Sequence, residues 1–273
     1  MDVKEGEMMA RILRFELKRA FINVNFVISI LIGMLICFAD IVLFISNFGI
    51  STEHILIQGW IGTDFQFFGN SLYYILLPVI ACLPFAGSHF EDMQSGYEKN
   101  ICIKTSKRHY LMAKNLAVAL SGFASVSLPL ALDLFIMAGL YPNWKPEKLT
   151  FLCAGIIDIK PFAELFNTHP ALYALVFILL AGLLGSLLGL MSLSVSRWCR
   201  SFFSVTVFPF AIYTILSVVF VSETGENIMS IMEMVNPLQR FTTTYSKLFG
   251  GMAGIYIVFL LLRILANYRR DIL

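Results

Sequence analysis

Uninterrupted apolar runs dominate this chain and leave it few folds. Six of them lie at about 21–46, 72–90, 110–140, 171–195, 202–221 and 247–266. A membrane-crossing helix needs roughly 20 apolar residues at about 1.5 Å each. In hydrocarbon each segment must satisfy its own backbone N–H and C=O groups, so runs of this kind read as helices. Composition agrees, with 58% hydrophobic and 14% charged residues, against about half and a quarter in soluble domains. The expected fold is an all-α integral membrane protein of six transmembrane helices, one domain over 1–273. No stretch reads as a linker or an internal repeat. The first run is too long for a signal-peptide core and lacks a small-residue cleavage site.

Charge sets the expected orientation. Fifteen of the twenty Lys and Arg fall on one side of a six-span layout. They are Lys4, Arg11, Arg14, Lys18 and Arg19; Lys99, Lys104, Lys107, Arg108 and Lys114; Arg197 and Arg200; and Arg263, Arg269 and Arg270. The other side keeps Lys145, Lys148, Lys160, Arg240 and Lys247. The positive-inside rule then puts both termini in the cytoplasm. Residues 1–21 carry Met9, Ile12, Leu13, Leu17, Ala20 and Phe21 at helical spacing, with Arg11, Arg14 and Lys18 on another side. That is an amphipathic helix suited to the headgroup region, or more simply a basic leader that sets topology.

Pro78, Pro84, Pro129 and Pro209 fall inside the expected spans, and each predicts a kink. Residues 47–70 hold Leu56, Ile57, Trp60 and Ile61 and are apolar enough to lie on the outer membrane surface. Residues 226–237, ending in Asn236-Pro237, read as a re-entrant segment too short to span. Tyr141 and Trp144 read as an outer aromatic anchor.

Several chemistries lack their residues. There is no GxxxxGK[ST] phosphate loop and no HExxH, and the four histidines (His54, His89, His109, His169) are far apart. The five cysteines read as apolar filler. No catalytic or metal-ligating set is expected, and no bound cofactor. Gly182, Gly185 and Gly189, with Gly250 and Gly254, form small-residue strips that let helices approach closely. Asp40 and Asp133 lie within spans, near the outer end. Such carboxylates mark either a substrate path or a solvated structural hydrogen bond.

The stretch 91–114, EDMQSGYEKNICIKTSKRHYLMAK, is the longest strongly polar run. Met93, Tyr97 and Ile101 recur every four residues, an apolar stripe with Glu91, Asp92, Lys99 and Arg108 around it. The stripe suits a docking helix; the simpler alternative is a solvated basic loop.

This stretch resembles the cytoplasmic loop between the second and third spans of ABC-2 type ABC transporter permeases. The matching residues are Asp92, Gly96, Arg108 and Lys114, with Tyr110 between the last two. Asn236-Pro237, the basic leading helix and the six-span layout are also similar. Tyr97 follows Gly96 where the family commonly has Thr, and no proline precedes Arg108. The resemblance implies a permease in the bacterial cytoplasmic membrane, paired with a second copy or a paralogue. A separate ATPase subunit would bind ATP and Mg. The coupling helix would then comprise Glu91, Asp92, Met93, Gly96, Tyr97, Ile101 and Arg108. The Phe-rich spans favour amphipathic peptides or lipophilic drugs as cargo. The alternatives are a passive channel or sensor, and an intramembrane enzyme. The partners expected are an ABC ATPase, another permease and lipid, not nucleic acid.

Overall fold

The computed structural model describes residues 2–49, 56–63, 68–141, 162–196, 198–199, 201–219, 231–238, 250–257 and 261. Among them every regular element is helical. In chain order these are α1 (Asp2–Phe21), α2 (Val24–Phe48), α3 (Leu56–Gly59), α4 (Phe68–Cys82), α5 (Ser88–Gln94), α6 (Tyr97–Lys104) and α7 (Lys107–Leu140). There follow α8 (Ala163–Thr168), α9 (Pro170–Val195), α10 (Phe202–Val219) and α11 (Ile231–Val235). Three helices, α2, α7 and α9, are long and apolar enough to cross a membrane. Two shorter apolar helices, α4 and Phe202–Ile215 within α10, lie beside them. Most of the expected sixth span, 247–266, lies outside the described residues, as do Trp144 and residues 226–230; 250–257 are helical.

The long helix α7 is the hub. It packs most extensively on α9 and also on α1, α2 and α4. At the α7–α9 crossing a Cβ on Gly122 would stand 2.9 Å from the Gly185 carbonyl oxygen. One on Gly185 would stand 2.8 Å from that of Gly122. The two backbones therefore touch where only glycine fits, and Ser186 donates to the Ala119 carbonyl at 2.8 Å across the same crossing. Gly182 sits against the Phe123 ring and Gly189 against Val118. A Cβ on Gly250 or Gly254 would meet no described atom within 4 Å.

Each proline in α4 and α10 leaves a carbonyl one turn earlier without its helical donor. A hydroxyl from a neighbouring helix replaces that donor. For Pro78 the freed carbonyl is that of Tyr74, and Tyr213 of α10 donates to it at 2.9 Å. For Pro209 it is that of Val205, and Ser192 of α9 donates at 2.7 Å. Pro84, in the turn after α4, frees the Ile80 carbonyl, which accepts from Ser29 of α2 at 2.6 Å and Ser125 of α7 at 3.1 Å. Beside Pro129, Tyr73 donates to the Val126 carbonyl at 2.6 Å. The proline sites are thus cross-links between helices, the form in which proline is tolerated in hydrocarbon.

Asn23 makes the corner between α1 and α2. Its Oδ1 accepts from the Phe26 N–H at 2.6 Å and caps α2. Its Nδ2 donates to the carbonyls of Arg19, Ala20 and Pro84. One side chain thereby fastens the end of α1, the start of α2 and the turn after α4.

Candidate functional site

Two buried polar layers stand at opposite ends of α7. The first gathers α1, α5 and the opening turns of α7. Amphipathic α1 turns Arg11, Arg14 and Lys18 outward but buries Glu16 and Ala20. Glu16 therefore sits on the packed face, pointed at α7. Lys114, two turns into α7, is wholly buried and lies 3.1 Å from Glu16 Oε2 and 2.5 Å from Asp92 Oδ2. Arg19 grips Asp92 through two nitrogens, at 2.7 and 3.3 Å, and reaches Glu16 at 3.2 Å. Tyr110 donates to Asp92 Oδ2 at 2.6 Å. Aromatic faces complete the cage, with Tyr97 4.8 Å from Arg19 and Phe85 4.4 Å from Lys114.

Two acids and two cations make this layer neutral, which is how such burial is tolerated. Burial alone would raise the Asp92 pKa. The Arg19 hydrogen bond and the nearby Lys114 charge outweigh it and hold the carboxyl below its ordinary 3.8. Burial works against the Arg19 cation too, yet Asp92 and Glu16 leave its pKa above the usual arginine value.

The polar stretch behaves differently from a single docking helix. Gly96 takes a left-handed φ of 71° and splits it into α5 and α6. Met93 therefore ends one helix and Tyr97 begins another, so the Met93–Tyr97–Ile101 stripe does not run along one axis. Glycine is the residue that adopts this φ without strain, and the turn it makes is an elbow. Asp92 is buried inside the elbow instead of framing its outer face. Glu91 and Arg108 are exposed, and Met93, Tyr97 and Ile101 are half-buried. The large apolar side chain that the elbow does present is Ile103, 83% exposed.

The second layer lies toward the other end of α7. Residues 56–63 do not lie on the surface: Leu56, Ile57, Trp60 and Ile61 are buried within the bundle. Burying that segment requires partners for its backbone and for the indole, and the neighbouring helices supply them. Asp133 accepts from the Ile61 N–H at 3.0 Å, and Trp60 Nε1 donates to the Leu130 carbonyl at 3.3 Å. Asn70 donates to the carbonyls of Ile61 and Gly62. Asn70 and Asn236 exchange amide hydrogen bonds at 3.1 and 2.7 Å. Tyr173 donates to the Pro237 carbonyl at 2.6 Å. Asp40 is buried against Gly69, at the start of α4. Asp40 and Asp133 thus lie within a packed polar layer.

Sequence reasoning left out Glu16, Phe85, Gly122 and Asn70, counted Arg19 only as a topology-setting cation, and met Asn236 only in Asn236-Pro237. The first carried a signal: Glu16 is an acid inside the apolar stripe Ile12, Leu13, Leu17, Ala20. The Asn pair carried none, because its members are 166 residues apart. Among the described residues no group of His, Cys, Asp and Glu could hold a metal ion. No family model, curated protein or solved structure matches the chain.

Proposed function

We propose that this chain is the membrane subunit of an ABC-2 type exporter, driven by a separate ATPase and paired with a second permease. What carries the reading is the company Asp92 keeps. Three of the residues that resemble the family's loop, Asp92, Tyr110 and Lys114, meet in one buried cluster. A fourth, Gly96, makes the elbow beside it. A topogenic loop needs only surface cations; it has no use for a caged carboxylate that ties it to two other helices.

On this reading the α5–α6 elbow is the ATPase contact. Its outer face carries Met93, Lys99, Ile103 and Arg108, the last at the start of α7. The inner cluster transmits a push on that face to α7 and α1 together. Cargo is an amphipathic peptide or a lipophilic drug, and Asp40 and Asp133 border its exit.

Affinity purification of the tagged chain from its native membrane should retain an ATPase. Met93→Ala combined with Ile103→Ala should insert normally and yet abolish stimulated ATP hydrolysis in that complex. A reproducible absence of any ATPase would move the reading to a passive channel or sensor. Unchanged hydrolysis in the double variant would remove the elbow from the mechanism.

A further inference from the structure

We propose that the recess between the α1–α2 corner and the turn after α4 binds the headgroup of an amine-bearing phospholipid, with one acyl chain laid along the adjoining apolar groove. The recess holds about 250 Å³ and is lined by Arg19, Asn23, Asn25, Ser88, Glu91 and Phe202, among others. That is below the roughly 300–1,000 Å³ of sites for whole drug-sized ligands, and suits a headgroup. It adjoins a second, apolar concavity of about 410 Å³ through Ile22 and Asn23, which line both. Phe21, Val24 and Val27 complete the groove. Ile22 and Val24, at the turn into α2, are 73% and 72% exposed. A polar chamber opening onto an apolar channel at the end of a spanning helix has the shape of a lipid.

Charge selects the headgroup. Arg19 is still 30% exposed after its bonds to Asp92 and Glu16, which leaves an edge for a phosphate. The recess is lined by one cation, Arg19, and one anion, Glu91. A phosphate headgroup without an amine leaves Glu91 unmatched. An ethanolamine headgroup sets its phosphate on Arg19 and its ammonium on Glu91, with Asn25 and Ser88 as further polar partners. The inference requires only that the chain resides in a bilayer and stands apart from the exporter reading.

The test uses the full chain in nanodiscs of equal phosphatidylethanolamine and phosphatidylglycerol with identical acyl chains, followed by native mass spectrometry of the retained lipids. The ethanolamine lipid should be retained over the glycerol lipid by roughly fivefold, the size of one partly solvated charge contact. Glu91→Gln should bring the ratio near one while the melting temperature stays that of wild type, because Glu91 is exposed and lies outside the ion cluster. A preference for the glycerol lipid, an ethanolamine preference that survives Glu91→Gln, or no retained lipid would each overturn the assignment.

Discussion

Lys114 illustrates what a single buried charge does in this chain. It is wholly enclosed, and its ammonium is shared by Asp92 and Glu16. Lys114→Met would leave two carboxylates facing one guanidinium. Breaking a buried pair from one side costs about 3–5 kcal/mol, so unfolding in mixed detergent micelles should show a loss of that order. Arg108→Met, on the same helix but exposed, should stay within about 0.5 kcal/mol; equal losses in the two variants would deny the cluster its role. The pH dependence has a definite sign. The folded-state pKa of Asp92 is depressed, so its contribution to stability is complete above the ordinary carboxylate value. It is lost as pH falls through the lower folded value. Stability should therefore decline below about pH 4, and Asp92→Asn should flatten that decline. The cluster was half legible in the sequence. Asp92 and Lys114 stand out as charges at the ends of apolar runs. Glu16, the second acid on Lys114, lies 98 residues before it; its place in the apolar stripe of α1 marks it for burial but does not name the helix it meets.

At the scale of elements, the four proline sites show why helices were easier to read than the bonds between them. A proline in an apolar run announces a kink from sequence alone, and it names the carbonyl that loses its donor. It does not name the replacement. Tyr213 fills that role for the Tyr74 carbonyl, 139 residues away. Tyr213→Phe should cost about 1 kcal/mol, typical of interhelical hydrogen bonds in membranes. In a Pro78→Ala background the restored backbone N–H can serve the same carbonyl, and the cost of Tyr213→Phe should fall toward zero. A double-mutant cycle measured by micelle unfolding checks this; the same cost in both backgrounds would refute it. The same limit explains the two departures from expectation. The repeat of Met93, Tyr97 and Ile101 suited one helix, but Gly96 between them permitted a turn that periodicity does not weigh. The apolar residues of 56–63 fitted a membrane surface or a core equally well. The core won because Asp133, Asn70 and Leu130 supply that segment with hydrogen-bond partners that lipid lacks.

Across the whole molecule, the two polar layers are spaced as the two faces of a hydrocarbon core would be. Lys114 and Asp133 both belong to α7 and stand about 28 Å apart along it at 1.5 Å per residue. That is close to the roughly 30 Å of a hydrocarbon core. Asn23, which caps α2, and Asp40 within it stand about 25 Å apart by the same measure. Between the layers, helices meet through glycine contacts and hydroxyl-to-carbonyl bonds; the ions and paired amides lie at the margins. At about 51 Å, α7 overruns the core, and its first two turns carry the ion cluster beyond it. If the layers mark the two interfaces, Ser95 in the elbow and Thr168 at the end of α8 lie on opposite sides. In the proposed six-span layout, the bias of fifteen cations against five predicts a cytoplasmic elbow. Both positions are exposed and suited to labelling. In a background with the native cysteines replaced by alanine, Thr168→Cys should react with a membrane-impermeant maleimide in intact cells. Ser95→Cys should react only after permeabilisation. The reverse pattern would invert the orientation and remove the elbow from reach of any ATP-driven partner. Reaction at both positions from outside would mean that the layers do not bracket the bilayer.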